Sequence, residues 1–355
     1  MKLFLLDTDF TAIAVIDTFT EFIWTDRYWE YGDFEIELSA TDPLLKEMKM
    51  DRYLYYSESD RLMVIEILEY RSDYDKGSYA VVKGRSLESI LDRRIVWGLK
   101  NFDTTVYSAI QTLINENYID PSDANRKIPD MEFVASEDSA VTTPRLEAQY
   151  TGDNIYNIIS DVCKENKLGF KLIRNDSGKI QFSLYSGVDR SYDQTANSYV
   201  IFSPYFENIV NTTYTEDKTE VRNTALIGGE GEGSSRKYAT IAGTDTGINR
   251  RELFVDARGV SSNVNGSTIS NSKYQNLLIQ KGNDKLKEYK LDTEFDCEAA
   301  VTNTFKMGID FNVGDIVNVQ DEYGHNRISR IIEIIHSYND EGYKFYPTFE
   351  TIDEE

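Results

Sequence analysis

The sequence predicts a β-dominated α+β chain in which two β-rich modules flank an α+β insert. Three observations predict it. Phe34, Ile36 and Leu38 alternate with Glu35, Glu37 and Ser39, the period-two pattern of a half-buried strand, inside a region rich in similar segments. Two long helical stripes, Val106, Ala109, Ile110, Leu113, Ile114 and Ile155, Ile158, Ile159, Val162, Cys163, both fall in residues 99–198. From residue 199 onward short β-branched and aromatic runs return between turn residues, which suggests an internal duplication. The expected domains are therefore 1–98, 99–198 and 199–355, the last interrupted by a loop and helix over about 259–290.

In the first module, strands are expected over Ala12–Asp17, Glu21–Trp29, Phe34–Leu38, Tyr53–Ser57 and Leu62–Tyr70, with a short helix opened by Asp42-Pro43. This spacing suits a small barrel or a sandwich. Tyr79–Val82 reads as the last strand, broken by Gly84. Ser86 then serves as a helix N-cap, and Leu87, Ile90, Leu91 and Ile95 form an apolar stripe. Glu88 in the first turn and Arg93-Arg94 near the end match the helix dipole.

In the insert, the two helices end before Asp120-Pro121 and near Gly169. Residues 120–150 are polar and irregular, and Phe170–Arg174 pairs with Lys179–Tyr185 around Asn175-Asp-Ser-Gly178 as a hairpin. The last module is read as strands at 198–202, 209–215, 224–228, 237–242, 252–255, 292–302, 315–320, 326–338 and 342–351. Its Ser/Asn/Gly loop at 259–272 precedes a helix at 273–290, in which Gly282 is a weak point.

The chain holds 38 Lys+Arg against 61 Asp+Glu, a net charge of −23. That balance disfavours tight nucleic-acid binding, which depends on cations neutralising phosphates. It suits a path that DNA slides along without sticking. Cys163 and Cys297 are the only cysteines, so no disulfide framework is expected and Cys163 reads as a buried thiol. No apolar run reaches the length of a membrane span, and the N-terminal run is too short for a signal peptide.

No catalytic, metal or cofactor-binding residues are assigned. His325 and His336 lack any Cys/His ligand spacing, and no Gly-x-Ser-x-Gly elbow occurs. Gly228–Gly233 follows a strand as a phosphate loop would. It lacks the Lys-Ser/Thr pair, however, and carries Glu230 and Glu232, so a hairpin tip is expected rather than a nucleotide-dependent assembly factor. Trp24, Trp29 and the many tyrosines leave open a cell-wall hydrolase or carbohydrate-binding role, although strand aromatics more often pack a barrel or an interface.

Several motifs, in this order, carry a resemblance. They are Trp29-Glu-Tyr-Gly-Asp-Phe-Glu-Ile-Glu-Leu38, Met63-Val-Ile-Glu66 and Gly84-Arg-Ser-Leu-Glu-Ser-Ile-Leu-Asp-Arg-Arg-Ile-Val96. Tyr185-Ser-Gly-Val-Asp-Arg-Ser191, Ile201-Phe-Ser-Pro-Tyr-Phe-Glu-Asn-Ile209 and Asn223-Thr-Ala-Leu-Ile-Gly-Gly-Glu-Gly-Glu-Gly233 follow. Arg250-Arg-Glu-Leu-Phe-Val-Asp-Ala-Arg258, Val313-Gly-Asp-Ile-Val317 and Pro347-Thr-Phe349 complete the series. Together they resemble the siphophage tail hub, the N-terminal structural part of the tail-associated lysin, which is similar to the baseplate hub of contractile-tailed phages.

The resemblance implies two hub-type β-barrels with the α+β insert between them. It implies a homotrimer whose six barrels form a ring on the distal tail protein or tail tube, closing the channel at the tail tip of a virion. The tape-measure protein and receptor-binding or tip proteins are the further implied partners, and DNA would only pass through the channel. Synthesis in the bacterial host cytoplasm is implied, and a prophage or tail-like bacteriocin fits equally. Arg85, Arg93, Arg94, Arg250, Arg251 and Arg258 match the family's basic positions and are expected at subunit interfaces, where Arg suits bidentate pairing. The chain stops shortly after Pro347-Thr-Phe349, so the lysin activity of longer members is not expected.

Overall fold

A computed structural model describes residues 2–74, 77–264, 267–299, 305–324 and 326–352. His325 and the end of the strand expected at 292–302 lie outside the described residues. The fold is β-dominated with a few helices, as the sequence predicts.

One large sheet organises the chain. Its strands run in the spatial order Ile209–Asp217, Asp292–Ala299, Gly342–Thr351, Asn326–Asn339, Glu21–Arg27, Asp33–Ser39, Gly77–Ser86, Leu62–Asp73, Tyr53–Tyr56, Leu3–Leu6 and Ala12–Ile16. Ile316–Gln320 also pairs with Asn326–Asn339 and carries Ile201–Phe202 in parallel. Among the described residues this pairing forms an open ladder and no closed barrel. Asn326–Asn339 is the spine. Its first part pairs with Ile316–Gln320, and its second part pairs with Glu21–Arg27, placing Trp24 opposite His336. The bulge between Ile331 and Glu333, seen against Gly342–Thr351, lies where the partner changes. The first and last thirds of the sequence thus share one ladder.

The alternation read at Phe34, Ile36 and Leu38 is real: all three are buried and their neighbours half-exposed. Each contributes about 1.5–3 kcal/mol by burial. They join Phe22, Trp24, Leu54, Tyr56, Ala80 and Val82 in a core belonging to the N-terminal strands alone. A second, larger core joins the insert to both flanking regions through Tyr28, Leu91, Ile110, Ile159, Phe170, Phe202 and Ile334.

Gly84 does not end its strand. Gly77–Ser86 runs through it, and a Cβ there would meet the Val64 carbonyl and the Phe34 ring. Glycine lets two strands and a ring close up at that point. The following helix, Leu87–Arg93, is a short 3-10 turn rather than an α-helix. Ser86 has the extended backbone of a cap, but its hydroxyl accepts from Gly32 N at 2.7 Å instead. Leu87 and Leu91 are buried, whereas Ile95 is exposed.

In the insert, Val106–Ile114 is capped by Thr105 and Ile155–Glu165 by Asn154, each accepting a backbone N–H at 3.2 Å. The second helix stops at Lys167, which takes the left-handed conformation (φ 58°). Leu99–Thr105 pairs with Arg145–Thr151, two strands hidden in polar sequence. The strands expected at 224–255 do not join the large sheet. Tyr238–Ile241, Thr224–Gly228 and Glu252–Asp256 make a separate three-stranded sheet covered by the helix Asn271–Lys287. Gly282 lies where a Cβ would strike Ile227 and Ile241, so the helix passes through it to approach the sheet closely. This lobe has its own core of Ala225, Ile227, Val255, Tyr274 and Leu278.

Candidate functional site

The six arginines fall into two groups. Arg85 closes its strand and grips Glu66 with two bonds of 2.6 and 2.8 Å, while its guanidinium lies 4.9 Å above the Tyr31 ring. Those hydrogen bonds to Glu66 hold Arg85 more firmly protonated than usual. Arg93 reaches Glu66 at 3.8 Å and Asp51 at 3.9 Å, with its side chain 46% exposed. Arg94 donates only to the Arg93 carbonyl, at 3.2 Å, and its buried Nε has no partner among the described residues. Arg85 and Arg93 therefore converge on one carboxylate, and Arg94 is the least satisfied of the three.

The second group lies on the lobe. Arg250 pairs with Glu252 at 2.6 Å, before the Glu252–Asp256 strand. The Arg251 guanidinium donates to the Lys218 carbonyl. Arg258, beyond the other end of the strand, clasps Asp256 through Nε and Nη2, and Arg236 reaches the same carboxylate at 2.8 Å. Arg258 foremost holds Asp256 well below the usual carboxylate range.

A polar seam, of which the sequence singled out Glu88 only as a match to a helix dipole, ties the three regions together. Arg61 and Glu88 are both buried and meet at 2.5 Å. Glu88 also accepts from Leu172 N at 2.9 Å, and Arg61 donates to the Arg27 carbonyl at 2.7 Å. Glu88 thus anchors the insert's hairpin instead of serving a helix dipole at the surface. Nearby, Arg330 donates to the carbonyls of Ser186 and Gly314 at 2.7 and 2.6 Å and to Tyr28 Oη at 3.2 Å. Tyr28 in turn donates to the Lys167 carbonyl at 3.0 Å. Asp26, buried beside this seam, accepts from Trp24 Nε1 at 3.2 Å. Burial pushes its carboxyl up to about 6, against the pull of Arg61. No local signal in sequence marks these residues, because only the fold makes a charge buried.

The remaining candidates for chemistry are held within the fold's own packing and hydrogen bonds. Trp24 and Trp29 are buried, so neither is displayed as a sugar platform. His336 is buried with Nδ1 2.7 Å from Tyr343 Oη, and burial pushes it down to about 4. In the Gly228–Gly233 turn, Glu230 N donates to Tyr274 Oη at 2.8 Å and the Glu230 carboxylate accepts from Ser262 at 2.6 and 2.7 Å. That turn is tied to the lobe helix and presents a carboxylate. Among the described residues no group of three or more His, Cys, Asp or Glu is placed to hold a metal ion, and no helix is long and apolar enough to cross a membrane.

A family model described as Siphovirus ReqiPepy6 Gp37-like protein matches residues 2–349. No curated protein matches the chain in sequence. Among solved structures, the chain is similar to the 43 kDa tail protein of prophage MuSo2 from Shewanella oneidensis, at 11% identity and TM-score 0.59, over 99% of this chain and 98% of that one. It is similar to a tail protein from Neisseria meningitidis MC58, at 11% identity and TM-score 0.57, over 98% and 96% of the two chains. It is also similar to prophage tail protein gp18 from Listeria monocytogenes EGD-e, at 10% identity and TM-score 0.51, over 99% and 96%. At such identities the likeness is one of fold, and it runs the full length of the chain. The siphophage resemblance carried by the motif order is borne out.

Proposed function

The chain belongs to the Siphovirus ReqiPepy6 Gp37-like family, and we propose that it is a structural hub of a phage tail tip. In this reading residues 1–98 and 199–355 each supply a hub-type β-barrel and residues 99–198 hang between them. Three copies form a pseudo-six-fold ring on the distal tail protein or tail tube and close its channel. The tape-measure protein and tip or receptor-binding proteins are its neighbours, and DNA only passes through. The virion tail tip is its place after synthesis in the host cytoplasm, and it performs no catalysis.

The observation that carries this reading is the spine strand. Asn326–Asn339 joins the N-terminal and C-terminal strand sets into one ladder within a single chain. Two joined β modules per chain are what a six-module ring of three chains needs. The net charge of −23 favours a lumen from which DNA is repelled. Arg93, half exposed and 3.8 Å or more from its carboxylates, and Arg94, with no ion pair among the described residues, are the two of the first group best placed to meet a neighbour's carboxylates.

The test is the mass of the assembled species. Mixed with the distal tail protein, the hub should register three copies of the 40.8 kDa chain, with three-fold or six-fold rings in images. A single copy per assembled tail refutes the reading. The double variant Arg93→Ala/Arg94→Ala should weaken trimerisation at least tenfold, about 1.4 kcal/mol, without lowering the unfolding midpoint of the monomer.

A further inference from the structure

Two surfaces of the chain are exposed, held in place and opposite in chemistry. The first is the turn at residues 203–208, between the strands Ile201–Phe202 and Ile209–Asp217. Tyr205 and Phe206 project from it, 72% and 52% exposed, and Glu207 beside them is exposed as well. Buried polar groups build this turn. Ser203 N donates to Asn208 Oδ1 at 2.8 Å, and Asn208 Nδ2 donates to the Ile201 carbonyl at 2.7 Å. The Ser203 hydroxyl accepts from Tyr205 N at 3.2 Å, and Ser203 and Asn208 are themselves buried. Glu207 completes the turn in the left-handed conformation, at φ 55°. Two neighbouring aromatic rings fixed outward in this way form an anchor of the kind that dominates interfaces.

The second surface follows the short helix Leu87–Arg93. Ile95, Trp97 and Leu99 are exposed, Trp97 by 65%, although Val96 among them is buried. Val96 N donates to the Asp153 carbonyl at 2.9 Å and the Val96 carbonyl accepts from Gly152 N at 3.0 Å, so the segment is fastened to the insert. The Arg126 guanidinium lies 4.8 Å from the centre of the Trp97 ring. It is held there by donating to the Ile95 carbonyl at 3.3 Å and to Asn117 Oδ1 at 2.6 Å. Arg94 precedes Ile95, and Lys127 is exposed next to Arg126. Among the described residues none of Arg94, Arg126 and Lys127 forms an ion pair. Acids close in sequence are already engaged: Asp92 accepts from Asn154 Nδ2 at 2.9 Å, and Glu116 is paired with Lys100. In a chain of net charge −23, three unpaired cations around an exposed tryptophan make a spot of sign opposite to the whole.

We propose that the Tyr205-Phe-Glu207 turn of one copy docks on the Trp97 surface of the next copy. Tyr205 and Phe206 lie against Ile95, Trp97 and Leu99, and the Glu207 carboxylate faces Arg94 and Lys127. The proposal rests on the three-copy reading above and says where its chains meet. Glu207 is the one charge in residues 203–208, and it meets cations that lack a counter-charge of their own. Among the described residues no hydrogen bond, ion pair or ring contact joins the two surfaces within one chain. A partner other than this chain would match one surface and leave the other bare, whereas a second copy covers both. Contact between two different patches of the same chain is heterologous, so repeating it closes a ring of three. The residues involved, Trp, Tyr and Arg, are those that carry most of the energy of known interfaces.

The test uses the full chain assembled with the distal tail protein. p-Benzoylphenylalanine in place of Phe206 keeps an aromatic ring there and cross-links what it touches on irradiation. Mixed light and heavy chains should give a cross-link from residue 206 of one copy to residues 95–99 of another. Position 205 takes the label should the first variant fail to fold. Trp24 and Trp29 are buried, so acrylamide quenches Trp97 alone in the isolated chain, and assembly should abolish that quenching. Trp97→Ala should weaken association between copies about tenfold or more, with the unfolding midpoint read at Trp24 and Trp29 unchanged. A cross-link confined to the distal tail protein or to another part of the chain overturns the proposal. So does a Trp97 that stays open to acrylamide in the assembled species. Either result in a species of three copies leaves the ring reading standing. The expected cross-link in a species of more or fewer copies refutes the ring and keeps the contact, and a single copy throughout removes both.

Discussion

Removing the Glu88 carboxylate is the sharpest test of how the insert is held. Arg61 and Glu88 have side chains 3% and 0% exposed, and their 2.5 Å contact is supported by Leu172 N and the Arg27 carbonyl. In Glu88→Ala the Arg61 guanidinium stays buried without its counter-charge, and Leu172 N loses its acceptor. Breaking a buried pair from one side costs about 3–5 kcal/mol. With an m-value on the order of 3 kcal/mol per M of urea, the midpoint should fall by about 1 to 1.7 M. Trp24 and Trp29, both buried in the body, report the transition by fluorescence. Removing the two charges together should cost less than removing one, because well-packed apolar residues replace buried pairs at little penalty. Arg61→Met/Glu88→Leu should therefore recover at least half of the loss. A Glu88→Ala midpoint within about 0.3 M of the parent would show that water reaches Arg61, and the anchoring role would fall.

Two other perturbations follow from the same seam. The Asp26 carboxyl rises from 3.8 to about 6 on burial, a change of about 3 kcal/mol. A carboxyl raised in the native state favours folding at low pH and loses that contribution as pH climbs through about 6. Asp26→Asn should flatten the fall in urea midpoint between pH 4.5 and 7.5, and parallel profiles for variant and parent would refute the assignment. Gly314 has φ +98° and a Cβ there would lie 2.3 Å from the Tyr28 ring. Gly314→Ala should cost about 2–4 kcal/mol through strain and overpacking. Gly308, with φ +77° and open space around it, should cost only about 1 kcal/mol on the same change, and equal losses would remove Tyr28 from the explanation.

Local periodicity made most elements legible. The alternation at Phe34–Leu38 and the stripes at Val106–Ile114 and Ile155–Cys163 sit where burial puts them. What escaped was non-local. Leu99–Thr105 and Arg145–Thr151 are strands because they pair with each other, and their polar composition shows no period of its own. Gly84 looked like a breaker, because the need for a missing Cβ against Val64 and Phe34 exists only once three strands are side by side. The lobe strands looked like their neighbours, since nothing in Thr224–Gly228 or Glu252–Asp256 tells which sheet they join. Glu88 read as a first-turn match to a helix dipole for the same reason: its counter-charge, Arg61, is brought up at the start of a separate strand.

The arginines show why a basic motif in an acidic chain is ambiguous. With 61 acidic side chains against 38 basic ones, almost any guanidinium finds a carboxylate in its own chain. Arg85 on Glu66 and Arg258 on Asp256 are bidentate and committed, so their charge is already spent on local structure. Sequence position alone ranks them equally with Arg93 and Arg94. Geometry separates them: the carboxylates nearest Arg93 stand 3.8 and 3.9 Å away, and Arg94 holds a buried Nε with no acceptor among the described residues. A buried donor without a partner costs about 1–3 kcal/mol. That Nε is enclosed by its own chain, so another molecule can reach Arg94 only through its terminal nitrogens, one of which already donates to the Arg93 carbonyl.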